Sequence, residues 1–417
     1  MKPPFQALAP FLVTLLIACT TAPTATPNPT AAPTSTIGPT PAPTATAVPT
    51  PSTTASPPPS PTPHRGTLAE FLGPPLDDVL VERRRALNIP GISAAILFPD
   101  GSTWTSAAGF AQVTPEVPLT VDTPFVAGSI TKTFVAATIL ELQEEGRLSL
   151  DDPLADWQPD YPRAPQITLR ELLSHTSGVF NLFDSPDYAR LVIRQGEGRS
   201  WTPQQVLDNL VEEPYCDPGT CYEYSNTGFV LLGMVIEAET GKSVAEVFDQ
   251  RFFEPLGLDG TYFQSDSPPP PGAARGYVPS RNGNVAVDDG TNWRPTQSEA
   301  TVVFAAGGVV GPVLDICHWG HDLFTGDVIN EDSIAQMTDY QANPYSDGEY
   351  GLGARTRVFD GIRMFGHTGA LRGFNTAMWY LPSLDLTACV MTNRTRIDAN
   401  EITDELLAVA VPAADSN

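Results

Sequence analysis

The sequence predicts an α/β fold of the α+β type: a central antiparallel sheet built from N- and C-terminal strands, flanked by helices, with a mostly helical second lobe. Three observations lead there. Ile92-Ser93-Ala94-Ala95-Ile96-Leu97-Phe98, the turn Pro99-Asp100-Gly101 and the run Thr103 to Gly109 read as a β-hairpin. Three more strand-like runs crowd toward the end: Arg363 to Gly366, Phe374 to Leu381 and Leu386 to Thr392, with Pro382-Ser383 turning between the last two. Roughly 250 residues of helical periodicity and loops separate the two β blocks, so early strands must join late ones around an insertion.

In chain order, the first sixty or so residues are not globular in character. Met1-Lys2 precedes the apolar run Phe11 to Ala18 and then Cys19: a charged start, an apolar stretch short for a membrane span, and small residues before a cleavage point. This reads as a secretory signal over residues 1–19. Leu16-Ile17-Ala18-Cys19 resembles a bacterial lipobox, which implies lipidation of Cys19; an ordinary cleaved signal is the alternative. Residues 20–64 are almost only Thr, Pro, Ala and Ser up to Pro63, with too little apolar bulk to offset the entropy of ordering, and read as an extended stalk. At about 3.1 Å per residue it would reach on the order of 100 Å. The expected protein is thus extracytoplasmic, tethered to the bacterial membrane as a lipoprotein.

Residues 65–413 form the expected folded domain and carry nearly all of the formal charge of −25. That acidity argues against nucleic acid or an anionic membrane surface as partner of the domain. A helix from Leu76 to Leu87, ended by Asn88 and Pro90-Gly91, precedes the hairpin, and a short one, about Ile402 to Val411, closes the chain. Of five cysteines, Cys216 and Cys221 bracket Asp217-Pro218-Gly219-Thr220 and are close enough to pair across a turn in an oxidising compartment. A zinc site is the competing reading for them and for His318-Trp319-Gly320-His321, but no acid completes a known pattern, and no metal or organic cofactor is expected.

Lys132 is one of only three lysines, with Lys2 and Lys242, and it stands in the apolar run Phe125-Val126-Ala127-Gly128-Ser129-Ile130-Thr131-Lys132-Thr133-Phe134. The span Ser129 to Glu145 reads as a helix, apolar nearly all round, with Gly146 as its stop. An N-cap serine and a surface lysine would be the plain interpretation. A helix buried on most sides instead desolvates the lysine, and a desolvated amine has a depressed pKa. Ser129 and Lys132, one turn apart, then make a nucleophile and the base that activates it, with the helix N-terminus favouring an oxyanion.

Phe125 to Lys132, Glu144-Glu145-Gly146-Arg147-Leu148-Ser149-Leu150-Asp151-Asp152-Pro153 and Ile167-Thr168-Leu169-Arg170-Glu171-Leu172-Leu173-Ser174-His175-Thr176-Ser177-Gly178 resemble the serine β-lactamase and penicillin-binding-protein superfamily. The similarity is to its class C-like branch and runs from about residue 76 to residue 394. It implies a β-lactamase/transpeptidase-like fold. Tyr224-Ser225-Asn226 matches the family's Tyr-x-Asn element, which makes Tyr224 a proton shuttle to the leaving group and Asn226 a hydrogen-bonding partner of the substrate amide. Tyr222 faces the same way without a paired Asn. Gly366-His367-Thr368-Gly369 stands where Lys-Thr-Gly is usual, on an edge strand. His367, Thr368 and Gly369 would then bind substrate, and the Ala370 and Ser129 N–H groups would form the oxyanion hole. Arg372 is a candidate for the charge lost with the lysine. His175 reads as part of a structural turn, and Gly307-Gly308 as part of the site wall. No Gly-x-Ser-x-Gly elbow occurs, against an α/β-hydrolase.

The resemblance implies a serine hydrolase that forms an acyl-enzyme on a small peptide or ester, of D-alanyl-D-alanine carboxypeptidase, D-aminopeptidase or esterase type. A class C-like β-lactamase acting on a β-lactam, or a non-catalytic cell-surface protein binding cell-wall peptides, are the alternatives.

Overall fold

The computed structural model describes residues 66–196, 198–264, 271–287, 294–340 and 349–415. The signal, Cys19 and the stalk lie outside the described residues. Helix α1, Leu68–Ala86, begins well before the expected Leu76 because Thr67 and Glu70 form a reciprocal capping box ahead of it. Pro74 and Pro75 lie inside it. They forfeit backbone bonds, yet Leu68, Leu72, Leu76 and Leu80 keep a four-residue apolar spacing along one buried stripe.

Seven strands form the central sheet: β1 Gly91–Leu97, β2 Thr103–Gln112, β3 Val117–Pro118, β4 Arg355–Phe359, β5 Ile362–Leu371, β6 Phe374–Leu381 and β7 Leu386–Thr392. Their order is β3-β2-β1-β7-β6-β5-β4, antiparallel throughout. The two ends of the folded region meet at β1 and β7, from Ile92 opposite Thr392 to Leu97 opposite Thr387. Both strands are buried along their whole length. A fully buried strand at the centre of a sheet requires cover on both faces.

That cover defines two cores. On one face α1 and the closing helix, Ala399–Ala414 rather than residues 402–411, pack Leu76, Leu80 and Leu406 against Ile92 and Trp379. The other face carries the helix Val313–Thr325 and, beyond it, the helical lobe. Here Trp319 stacks on Phe134 with ring centroids 3.7 Å apart, inside a cluster with Phe248, Phe252 and Phe253. Phe134 belongs to α2, Thr131–Glu144, and Trp319 Nε1 donates to Thr133 Oγ1 at 2.8 Å.

Two departures from the expected strands leave one edge of the sheet partly open. β5 does not stop at Gly366 but continues through His367-Thr368-Gly369-Ala370-Leu371. β4, which was not expected at all, pairs only with Ile362 to Gly366, so among the described residues no strand covers the second half of β5 along that edge. Replacing Trp319 by Ala removes the stacked indole and the partner of Thr133; we expect a loss of about 3–5 kcal/mol, read as a lower denaturation midpoint with unchanged slope.

Candidate active site

Ser129 sits not on α2 but in the 3-10 turn Gly128–Ile130 that leads into it. Its side chain is not a cap: α2 has no side-chain capping bond at its N-terminus. Gly128 has φ +58°, and a Cβ there would lie 3.0 Å from the Ala370 nitrogen and 3.3 Å from Gly369 Cα. Gly369 in turn has no room for a side chain, because its Cβ would fall 1.9 Å from the Ala127 carbonyl oxygen. The two glycines therefore let the open half of β5 lie directly against the serine turn. Thr376 Oγ1 donates to that same Ala127 oxygen at 2.9 Å and fixes the contact. Gly369, expected along the substrate, is buried in this seam; Ala370, next on the strand, is exposed.

Lys132 is fully buried, and its Nζ has three oxygen neighbours: Ser129 Oγ at 3.1 Å, Asn226 Oδ1 at 2.8 Å and the Ala306 carbonyl at 2.8 Å. Burial pushes its pKa well below the ordinary lysine value, and the positive charge of Arg355 pushes the same way. A neutral amine has two hydrogens and one lone pair. In that form Asn226 Oδ1 and the Ala306 carbonyl, both acceptors, take the hydrogens and leave the lone pair for the Ser129 hydroxyl.

Tyr224 is half-buried beside this pair, with Lys132 Nζ 5.0 Å from its ring centre. Burial of its hydroxyl raises the pKa above the usual phenol value despite the nearby Ser129 and Arg355, so it stays a neutral phenol. Asn226 opens the helix Asn226–Thr240, whose cap Ser225 accepts from the Gly228 N–H. Asn226 was expected at the substrate amide. In the structure its carboxamide bridges two side chains: Oδ1 accepts from Lys132, and Nδ2 donates to Asn181 Oδ1 at 3.1 Å. Ala306, just before Gly307-Gly308, is the wall segment that reaches the lysine; a short strand, Val309–Gly311, follows it rather than a helix.

His367 departs further. Expected to bind substrate, it is 1% exposed, its Nε2 lies 3.1 Å from the Tyr350 hydroxyl, and its Nδ1 lies 2.5 Å from the Thr368 carbonyl. Strand parity explains this. His367 is opposite Met378, which packs toward the helical side, whereas Thr368 is opposite Ala377 on the other face. Burial, with Arg355 and Lys132 nearby, drives the His367 pKa well down, so the ring is neutral. Arg372 does not replace the missing lysine either, since its guanidinium lies 3.4 Å from the buried Glu299 carboxylate.

The cation that does face the site is Arg355, which no motif in the sequence marks. It comes from β4, with its guanidinium carbon 5.4 Å from the ring centres of both Tyr224 and Tyr350. It also lines a cleft of about 560 Å³ with Arg357, Thr368 and the acidic Glu349, Asp398, Glu401 and Asp404, a cleft whose lining does not include Ser129, Lys132 or Tyr224. Asp360-Gly361, both at positive φ, was the available signal for the β4–β5 hairpin. A larger cavity of about 620 Å³ lies in the helical lobe between Tyr161, Leu207 and Pro214, and Ser129 and Lys132 do not line that one either.

Cys216 and Cys221 form a disulfide beside the turn that contains His175, while Cys317 and Cys389 are buried and free. The beta-lactamase family model matches residues 76–411. An unguisins hydrolase of Aspergillus campestris is 27% identical over 78% of this chain and 62% of its own length. The chain thus spans about three fifths of the length of the first curated relatives it matches. A D-stereospecific amidohydrolase from a Streptomyces species superposes with a TM-score of 0.69 at 28% identity, covering 79% of this chain and 96% of that one. The D-amino acid amidase of Ochrobactrum anthropi SV3, in complex with D-phenylalanine, gives 0.71 at 26% identity over 82% and 99%. The chain belongs to the beta-lactamase family.

Proposed function

We propose that the protein is a serine hydrolase that cleaves an amide or ester carbonyl, most readily one adjoining a D-configured residue, through an acyl-enzyme on Ser129. The observation that carries this is the buried Lys132 amine 3.1 Å from Ser129 Oγ, held by two carbonyl oxygens that leave its lone pair for the serine. Ser129 Oγ bonds to the substrate carbonyl carbon while its proton passes to Lys132. The bond to the leaving group breaks as the Tyr224 phenol gives up its proton to that group, and Lys132 returns a proton to Tyr224. The Ser129 and Ala370 N–H groups hold the oxyanion, and water then releases the acyl group.

The names of the structural relatives support a D-amino acid amide or peptide as the substrate class. Arg355 supports a free carboxylate on the leaving side, because a guanidinium near a neutral Tyr224 and beside Thr368 offers charge and fork geometry there. The signal-like residues 1–19, Cys19 and the stalk 20–64 support placement outside the cytoplasm on a lipid anchor, and the Cys216–Cys221 disulfide is consistent with an oxidising compartment.

Purified protein should be labelled covalently by fluorescent penicillin and should hydrolyse p-nitrophenyl acetate, both lost in Ser129→Ala. Silence of the unaltered protein with both probes would favour a binding protein instead. The neutral amine is the active base, so the acylation rate should rise with pH through the depressed Lys132 pKa and level off well below the free-lysine value of 10.5. Lys132→Met should lower that rate by about 10²–10⁴-fold. Arg355→Ala removes a positive charge that holds the lysine pKa down, so the pH limb should move upward. The same change should raise KM for carboxylate-bearing substrates by roughly 10- to 100-fold, the scale of a charged hydrogen bond.

A further inference from the structure

We propose that His175 is a positioning residue for the Tyr224 phenol. Its backbone carbonyl accepts the Glu223 N–H at 2.9 Å and its Nδ1 accepts the Ser225 N–H at 3.1 Å, so one residue grips the chain on both sides of Tyr224. Its ring lies 4.1 Å from the Tyr224 ring, centre to centre, and 4.6 Å from Tyr350. The grip depends on an unusual backbone: His175 has φ +59°, in the left-handed region that side-chain-bearing residues seldom occupy. Neighbouring groups extend the same cradle, with the Phe180 carbonyl accepting from Ser225 Oγ and Asn181 Oδ1 accepting the Asn226 N–H.

The state of the imidazole follows from these bonds. A nitrogen that accepts an amide N–H carries no hydrogen, so the neutral ring is protonated at Nε2. Burial keeps it neutral, helped by the charges of Lys132, His367 and Arg355. Nε2 is itself buried and has no hydrogen-bond partner among the described residues. A turn that needed only an acceptor in the left-handed region would be met by Asn, which leaves no orphaned ring N–H. The ring is therefore held for its contact with Tyr224, not for the turn alone.

This role rests on Tyr224 carrying a proton to the leaving group, and the test separates the two claims. Fluorescent penicillin expels an amide nitrogen that must be protonated, whereas p-nitrophenyl acetate expels a phenolate that needs no proton at neutral pH. His175→Ala should slow acylation by the penicillin about 10²-fold, the scale of a catalytic group displaced by an ångström, and hydrolysis of the ester by less than about 10-fold, with KM for the ester unchanged. His175→Asn keeps the acceptor and tolerates the backbone, so it should recover part of the penicillin rate and, if the Ala variant does not fold, it carries the comparison. In a Tyr224→Phe background either substitution should cost little more, because the hydroxyl it positions is gone. Equal losses on both probes, or a full additional loss on top of Tyr224→Phe, would overturn the positioning role while leaving the hydrolase reading intact. Full penicillin reactivity in Tyr224→Phe alone would instead overturn the proton-carrier reading, and the role of His175 with it.

Discussion

A fully buried amine organises this protein. Lys132 is held among Ser129, Asn226 and Ala306, and each of those oxygens comes from a different part of the chain. An ammonium ion in that position would carry a large desolvation penalty, offset only in part by carbonyl dipoles and opposed by Arg355. The fold therefore favours the form of lysine that can take a proton. The stacked Phe134 and Trp319 keep α2 against the helix Val313–Thr325, and through it against the sheet, which holds the amine at a fixed depth.

The neighbouring groups are graded by the same effect. Burial pushes the phenols of Tyr224 and Tyr350 up and the imidazoles of His175 and His367 down, so all four are neutral around one guanidinium. Arg355 is left as the positive charge among them, and it also lines a cleft in which Arg357 and Arg363 are balanced by Glu349, Asp398, Glu401 and Asp404.

What could be read from residues alone followed local chemistry. Lys132 was legible because lysine is scarce in this chain and the run around it is apolar; Tyr224 and Asn226 were legible as a short motif. The partner of Asn226 was not, since no local pattern reports that its oxygen meets a lysine ninety-four residues earlier. Arg355 was not legible and Arg372 stood in its place: parity turns His367 inward on β5, and only the β4–β5 hairpin brings Arg355 beside Tyr224. In the fold, the sheet joining both ends followed from strand order, whereas the early start of α1 was hidden by Pro74-Pro75, whose usual meaning is overridden by buried leucines.

The seam between the serine turn and the second half of β5 has a consequence for how the molecule comes into being. Ser129 emerges early in synthesis, but the strand edge that must lie against it is made more than two hundred residues later, and β6 and β7 must follow before that edge is tied through the sheet to β1. Such long-range closure is slow to nucleate. A nascent chain thus carries Ser129 without the strand edge that lies against it, and the seam closes only when the last strands are in place.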